Sequence, residues 1–377
     1  MKKLSLILIG LMACLAIGVS TARGQVFYTL QDLGVVKNMV ASEPTAINNQ
    51  GHVTGTSYAG SESCAFHFLK AIEDAGGVNS RGFAINSANI IAGDAFFAHP
   101  QGPKVLISPS HAAIFKNGVV TDLGALEGQV YSRATGINAV GWVVGFSGPT
   151  RDSNFSRAFI WSSGTGMVDM GTLGGQYAQA YGINDAGFVT GTSLTPQMLG
   201  AGTHAFIYQP FSQGAGCSRL PMRDLGVLPG GDSSYGMAIN PSNHVAGYSK
   251  INYFDDRVHA FLHNGKKMID LGTLNGNALY CDTSVALGLN NSDQVVGYSI
   301  IPAGGNMPIR QAAFLWSGGK MQNLNGLIGI AAGQYWLFSA TAINDNGQIV
   351  ASAFDNNGNE RAVLLTPSLI KLPPPAP

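Results

Sequence analysis

The chain has 377 residues and a formal net charge of zero, and charged residues make up only 11% of it, against about 25% in an ordinary soluble domain. Its 50 glycines and 17 prolines favour turns, while a hydrophobic fraction of 45% supplies a core, which excludes a disordered chain. A neutral chain without a Lys/Arg cluster also lacks the electrostatic footprint of a nucleic-acid-binding protein. This composition predicts many short strands and few helices.

The N-terminal segment predicts an exported protein. Two lysines precede an apolar run over residues 4–19, and Ala22 and Gly24 stand where a signal peptidase recognises small residues. We therefore expect residues 1–24 to be a signal peptide, cleaved before Gln25, and the mature protein to be periplasmic or extracellular. No later segment is long and apolar enough to span a bilayer.

The rest of the chain is built from a repeat. Its clearest mark is an Ile-Asn or Leu-Asn pair followed by a turn and an apolar strand of Val-Val-Gly type, a pattern that predicts a tight hairpin. The pairs recur about every 49 residues, at Ile47-Asn48, Ile85-Asn86, Ile137-Asn138, Ile183-Asn184, Ile239-Asn240, Leu289-Asn290 and Ile343-Asn344.

Two further elements complete each repeat. One is a strand of Ala-Phe type, at Ala65-Phe66, Ala158-Phe159, Ala205-Phe206, Ala260-Phe261 and Ala313-Phe314, with weaker copies at Ala112–Phe115 and Ala362–Leu365. The other ends in Asp-Leu-Gly or a close variant, at Asp32–Gly34, Asp122–Gly124, Asp169–Gly171, Asp224–Gly226, Asp270–Gly272 and the degenerate Asn323–Asn325. A seventh copy, due between Phe68 and Phe83, is not recognisable.

Four short strands in about 49 residues match the size of one propeller blade. The chain begins with an Asp-Leu-Gly strand and ends with an Ala-Phe type strand, so its two ends complement each other. Sharing a blade between the ends removes an exposed sheet edge, which favours a closed ring over an open solenoid or β-helix. We predict an all-β fold, a single seven-bladed β-propeller over residues 25–366 closed by its N- and C-terminal strands. Residues 367–377 are expected to form a Pro-rich flexible tail.

The order of these elements resembles the bacterial secreted proteins of the HAF-repeat family, named after a His-Ala-Phe triplet that is intact at His204–Phe206 and His259–Phe261. The resemblance covers nearly the whole mature chain. It implies an extracytoplasmic repeat protein and no defined activity.

The repeated residues predict structural roles. His111, His204 and His259 share one position of the repeat and are expected to make hydrogen bonds from blade to blade. The repeated Asn and Asp should hydrogen-bond their own turns, and the repeated Phe should pack between blades. The chain has no GxSxG, HExxH, GxxxxGK[ST] or dinucleotide motif, and no metal-ligand or disulfide spacing, so we predict no cofactor and no metal.

The longest insertions follow the Val-Val-Gly and Asp-Leu-Gly strands, which puts them on one face of a propeller. They carry arginines, carboxylates and aromatic residues. Tyr131, Arg133 and Tyr335 also belong to the connections that follow the Asp-Leu-Gly strands. Such a mixture is typical of a polar ligand site. The candidate residues are Arg151, Asp152, Tyr177, Tyr181, Tyr235, Tyr253, Asp255, Asp256, Arg257, Tyr280, Arg310 and Trp336.

These observations favour a noncatalytic, monomeric secreted propeller that binds a glycan, a peptide or a surface partner through this face. One alternative is an extracellular propeller enzyme of the polysaccharide lyase or glycosidase type. It would need two loop carboxylates, from Asp152, Asp255, Asp256 and Asp282, within roughly 5 to 9.5 Å of each other. A second alternative is a structural component of the cell surface or matrix.

Overall fold

The structure, a computed structural model, describes residues 26–101, 104–107, 109–150, 155–196, 202–209, 222–276, 282–302 and 309–368. Within these ranges the chain forms seven four-stranded antiparallel sheets and one two-stranded hairpin. The innermost strands of neighbouring sheets contact each other around a ring. The prediction of a seven-bladed all-β propeller is confirmed.

The strands of each blade follow one another from the innermost to the outermost. Blade 1 has β2 (Ala41–Ile47), β3 (Val53–Ala59), β4 (Glu62–Phe68) and β5 (Ile72–Gly76); blade 2 has β6 (Val78–Ile85), β7 (Ile91–Phe96), β10 (His111–Lys116) and β11 (Val119–Asp122), with the extra hairpin β8 (Ala98–Gln101) and β9 (Lys104–Ile107). Blade 3 has β12 (Tyr131–Ile137), β13 (Val143–Gly148), β14 (Arg157–Ser162) and β15 (Gly166–Asp169); blade 4 has β16 (Ala178–Ile183), β17 (Val189–Leu194), β18 (Thr203–Tyr208) and β19 (Arg223–Asp224). Blade 5 has β20 (Ser234–Ile239), β21 (Val245–Lys250), β22 (Val258–His263) and β23 (Met268–Asp270); blade 6 has β24 (Ser284–Leu289), β25 (Val295–Pro302), β26 (Ile309–Ser317) and β27 (Lys320–Asn323). Blade 7 has β28 (Tyr335–Ile343), β29 (Ile349–Asp355), β30 (Glu360–Ser368) and β1 (Phe27–Asp32), and two short 3-10 helices, Leu324–Gly326 and Gly329–Gly333, precede it.

The order of strands within a blade places the Ile-Asn strand innermost, followed by the Val-Val-Gly, Ala-Phe and Asp-Leu-Gly strands. Blade 7 takes its outermost strand from the N-terminus, because β1 pairs with β30 from Phe27↔Ser368 to Asp32↔Val363. Closure of the ring by the two chain ends is therefore as predicted. Strand β30 reaches Ser368, so Pro367 and Ser368 belong to the sheet and the predicted tail boundary was two residues early.

The core lies between neighbouring blades. Phe159, Phe206, Phe261 and Phe314 are fully buried, as their repetition predicted. Phe206 of blade 4, for example, packs against Val144 and Ala158 of blade 3. Burying one such side chain stabilises the fold by roughly 1.5 to 3 kcal/mol, so the Ala-Phe strands supply much of the adhesion between blades.

Glycine in the Val-Val-Gly strands permits a close approach of backbones. A Cβ atom on Gly145 would lie 1.9 Å from the carbonyl oxygen of Arg133 on the adjacent inner strand. Five equivalent glycines, in blades 1, 2, 4, 5 and 6, have an inner-strand carbonyl oxygen at 1.8 to 2.0 Å from the same position. Since the distances leave no room for any side chain, the repeated glycine is a packing requirement.

The repeated asparagines form a closed ring of hydrogen bonds. Each Asn side chain donates from Nδ2 to the backbone carbonyl of the corresponding Asn in the next blade, from Asn48 to Asn86 at 3.0 Å through to Asn344 back to Asn48 at 3.0 Å. Its Oδ1 accepts from backbone N–H groups of its own hairpin, as Asn240 does from Ser242 and His244. The local role was predicted, whereas the bond between blades was not.

The repeated Asp residues hold the turns after the outermost strands. The Oδ1 atom of Asp122 accepts from the backbone N–H of Gly124 at 2.7 Å, and four other Asp-Leu/Met-Gly copies do the same. Asp74 bonds to Gly76 in the same way at 2.8 Å. The copy that the sequence did not reveal in blade 1 is therefore Asp74–Gly76, which has lost its leucine.

The structure corrects the prediction that the repeated histidines make their hydrogen bonds from blade to blade. Nδ1 of His111, His204 and His259 contacts the Asp of the outermost strand in the same blade at 2.8 to 3.1 Å, so these contacts lie within a blade and not between blades. His259 also reaches the next blade, through Nε2 to Asp282 at 2.8 Å. No helix among the described residues is long and apolar enough to cross a membrane.

Candidate ligand-binding face

Antiparallel strands alternate in direction, so the two ends of the ring carry different connections. One end, which we call the loop face, carries the connections from Val-Val-Gly to Ala-Phe strands and those from one blade to the next. The other end, the hairpin face, carries the Ile-Asn hairpins. Among the described residues, the long insertion that follows the Val-Val-Gly strand of blade 5 lies on the loop face, as does the β8–β9 hairpin of blade 2. Three candidate residues, Arg151, Asp152 and Tyr280, lie outside the described residues.

Four candidates lie together on the blade 5 loop at the rim of this face. Tyr253 is 65% exposed, and its ring meets that of Phe254, which is 91% exposed. Arg257 donates from Nε to Asp255 at 2.9 Å, and Asp256 pairs with Lys250 at 3.1 Å. The hydrogen bonds from the Arg257 side chain and backbone lower the pKa of Asp255, which keeps this carboxylate charged.

The same arginine connects two of the carboxylates considered for catalysis. Arg257 bonds Asp255 and also contacts Asp282 at 3.4 Å, and Asp282 in turn bonds His259. Burial would lower the pKa of His259, but its hydrogen bonds to Asp270 and Asp282 outweigh this effect and raise the pKa. The cluster is thus an alternating chain of acidic and basic groups.

A second rim pair lies between blades 6 and 7. The guanidinium of Arg310 stacks over the ring of Trp336 with 3.4 Å to the centroid. The indole Nε1 of Trp336 donates to the carbonyl of Gln311 at 2.9 Å, which fixes the ring. Such a stacked cation and ring present a flat, polar surface to solvent.

The remaining candidates form a tyrosine cluster at the centre of the loop face. The rings of Tyr235 and Tyr248 in blade 5 stack with 4.7 Å between centroids. Tyr181 of blade 4 lies close to both of them and to Tyr177, and its hydroxyl donates to Gln179 at 2.6 Å. Burial raises the pKa of Tyr177 to about 12 and raises that of Tyr181 well above its ordinary value, so the hydroxyls stay protonated.

Two arginines and a buried aspartate continue this cluster into blades 3 and 2. Asp94, with no exposed surface, accepts from Arg81 Nε at 2.9 Å and from Arg133 Nε at 3.1 Å. The guanidinium of Arg133 lies 4.9 Å above the centroid of the Phe83 ring. We call the whole group, which runs along the inner part of blades 2 to 5, the inner arc; its members are Arg81, Asp94, Arg133, Tyr177, Tyr181, Tyr235 and Tyr248.

The inner arc lies at the entrance to a central channel. The residue three positions before each repeated Asn faces this channel, and these seven enclose a cavity of about 340 Å³: Thr45, Phe83, Thr135, Tyr181, Met237, Leu287 and Thr341. The threonine hydroxyls bond backbone carbonyls of neighbouring blades, as Thr135 does to Ala180 at 2.8 Å. The wall is therefore largely apolar, and only Tyr181 belongs to both the cavity and the inner arc.

A carboxyl pair lies where the ring closes between blades 1 and 7. Burial of its carboxyl end and a hydrogen bond with Glu360 raise the pKa of Glu43 to about 7, although part of the Glu43 side chain stays exposed. Tyr58 donates a hydrogen bond to Glu360. Near pH 7 the Glu43 carboxyl group is therefore partly protonated.

Arg81, Asp94 and Tyr248 give no signal in a reading of the sequence motif by motif. Arg81 shares the position five residues before the repeated Asn with Arg133 and Tyr235, and this position is Glu43, Gln179, Val285 or Ser339 in the other blades. Asp94 and Tyr248 likewise share the position after the repeated Gly. Aligning the repeats by position would have revealed both sets. In the described ranges no group of three His, Cys, Asp or Glu residues is arranged to hold a metal.

Comparison with known proteins supports the fold. The β-propeller domain of the Trilobed protease from Pyrococcus furiosus, described as having an open velcro topology, is similar with a TM-score of 0.50 at 10% identity, over 92% of this chain and 100% of that one. The acylaminoacyl peptidase of Pyrococcus horikoshii is similar over 90% of this chain and 52% of that one, with a TM-score of 0.44 at 12% identity. At such identities the likeness concerns the fold alone, and no curated protein matches the chain.

The family comparison matches residues 119–363 to a group described as "Protein of unknown function (DUF3466)". This range contains four of the five Ala-Phe pairs and most of blades 3 to 7. The resemblance to the HAF-repeat family is not confirmed. Because the match covers more than half of the sequence, the chain belongs to the DUF3466 family.

Proposed function

We propose that the protein is a noncatalytic, secreted and monomeric binding protein that holds a glycan or peptide on its loop face, over the inner arc. The observation that carries this proposal is the continuity of the inner arc across blades 2 to 5. Arg81, Arg133, Gln179 and Tyr235 occupy in these four blades the position that holds Val285 in blade 6 and Ser339 in blade 7. The signal peptide expected over residues 1–24 supports export.

The chemistry of the inner arc suits a polar ligand with flat, apolar faces. Tyrosine combines a large ring with a hydroxyl, so a ligand can stack and hydrogen-bond on the same side chain. The rings are already held, by stacking between Tyr235 and Tyr248 and by the bond from Tyr181 to Gln179. A preformed surface of this kind costs a ligand little ordering entropy.

The experiment is a thermal-shift screen of the purified chain from Gln25 against glycans and peptides. A ligand at 100 times its Kd should add about 2.7 kcal/mol to the free energy of unfolding, which raises the midpoint by several degrees. Tyr235→Ala should abolish the shift, while Tyr253→Ala, a matched change at the rim, should leave it in place. Loss of the shift only in Tyr253→Ala would move the site to the rim and contradict the proposal.

A further inference from the structure

We propose that the inner arc recognises the carboxylates of an acidic polysaccharide, and that Arg133 is the residue that binds them. This inference rests on the proposed binding function and specifies its ligand class. Uronic acid units, which carry one carboxylate on each sugar ring, are the chemistry that an arginine beside tyrosine rings would select.

The geometry of Arg133 prepares it for a carboxylate. Its Nε is held by Asp94 at 3.1 Å, and its plane is supported by the Phe83 ring. Among the described contacts, its two Nη groups make no hydrogen bond to the protein, and its side chain is 20% exposed. These Nη donors are therefore oriented and available, and an arginine fixed in this way loses little rotamer entropy when it binds.

The charges of the cluster favour an anion. Asp94 is fully buried, so it neutralises charge without being reachable by a ligand. It is paired with both Arg81 and Arg133, which leaves one positive charge in excess. Because Arg81 uses both Nε and Nη2 for Asp94, the excess donors belong mainly to Arg133.

The surroundings of Arg133 favour a polysaccharide over an acidic peptide. Thr135 in the same strand bonds Ala180 of blade 4, so the strand that carries Arg133 packs directly against the one that carries Gln179 and Tyr181. The amide of Gln179 and the hydroxyl of Tyr181 in blade 4 therefore lie next to Arg133 along the inner arc, and the stacked pair Tyr235–Tyr248 lies beyond them in blade 5. Sugar rings present apolar faces for stacking and hydroxyls for hydrogen bonds in alternation, which an extended peptide does not.

The test compares three probes by isothermal titration calorimetry with the whole mature chain: an oligogalacturonate, the same oligomer with every carboxyl methyl-esterified, and poly-glutamate. The inference predicts at least tenfold tighter binding of the oligogalacturonate than of the ester, and weaker binding of poly-glutamate. Equal binding of oligogalacturonate and ester would overturn the inference and leave the proposed glycan binding intact. Tighter binding of poly-glutamate would overturn it in favour of an acidic peptide.

The variants separate charge from geometry. Arg133→Gln should reduce oligogalacturonate affinity at least tenfold and bring it to the level of the ester, while Arg133→Lys should recover only part of the loss. Lys267→Gln, which removes one positive charge from an exposed turn of the hairpin face, should change neither affinity. If Arg133→Gln keeps full preference for the free acid, Arg133 is not the recognising residue. If none of the probes binds while another ligand binds through Tyr235, the inference fails and the binding function stands.

Discussion

Replacement of one ring asparagine should destabilise the whole propeller, and Asn240 allows the cost to be worked out. Its Nδ2 donates to Asn290 O at 3.2 Å and to Asp293 Oδ1 at 2.9 Å, and its Oδ1 accepts from two backbone N–H groups at 3.0 Å each. Asn240→Ala removes all four hydrogen bonds at a position that is 2% exposed. Asn290 O keeps a bond from Asp293 N, so two backbone N–H groups lose their side-chain acceptor. At about 1 to 2 kcal/mol for each of these, the free energy of unfolding should fall by about 2 to 4 kcal/mol.

The assay is urea unfolding followed by tryptophan fluorescence. The midpoint should fall in Asn240→Ala while the slope with urea is unchanged, which separates a loss of stability from a change in the surface exposed. Asn357→Ala is the matched control, because Asn357 is exposed in the β29–β30 turn and its side chain has no hydrogen bond among the described contacts. The control should change the free energy of unfolding by less than about 0.5 kcal/mol. Equal midpoints for the two variants would refute the idea that the asparagine ring joins the blades.

Three further predictions concern the core and the pH dependence. Phe261→Ala should lower the free energy of unfolding by about 3 to 5 kcal/mol in the same assay, since it empties a fully buried site between blades. Gly145→Ala should yield little folded protein on gel filtration, because its Cβ would overlap the carbonyl of Arg133; a fully folded variant would show that the strands can separate at low cost. His259 has a raised pKa in the folded state, so its stabilisation is complete below about pH 6.5 and is lost as pH rises through the folded pKa. The stability difference between wild type and His259→Gln should therefore shrink as the pH rises above about 6.5, and a difference that grows would contradict the assignment.

The fold was predictable because the sequence signals that specify each blade are repeated along the chain. An Ile-Asn hairpin, a glycine that lets strands approach and an Asp that holds a turn are local signals, and their recurrence about every 49 residues predicted a blade. The copy at Asp74–Gly76 escaped notice because only its aspartate and glycine, which make the turn hydrogen bond, were kept. The hydrogen-bond partners of a repeated residue were harder to predict from the sequence, as the histidines show. Their shared position in the repeat was evident, but the sequence did not show whether each would bond an aspartate of its own blade or a residue of the next blade.

The candidate site was predictable only in part. Tyr177, Tyr181 and Tyr235 were selected from their place in the connections, and they do lie together, while Tyr253, Asp255, Asp256 and Arg257 lie apart at the rim. Asp94 was missed because a lone aspartate in an apolar strand gives no sign of its partners. Those partners, Arg81 and Arg133, belong to two different blades, and Arg133 is 39 residues away in the sequence.

The sequence by itself determined the number of blades, the order of their strands along the chain and the closure of the ring by its two ends. These depend on patterns that act within one repeat or between the chain termini, so hydrogen-bonding geometry and burial dictate them locally. Only the tertiary structure decided how the blades are joined by the asparagine ring and which side chains meet at the channel entrance. Such contacts depend on the angle at which neighbouring blades pack, and that angle places side chains from distant positions of the chain side by side.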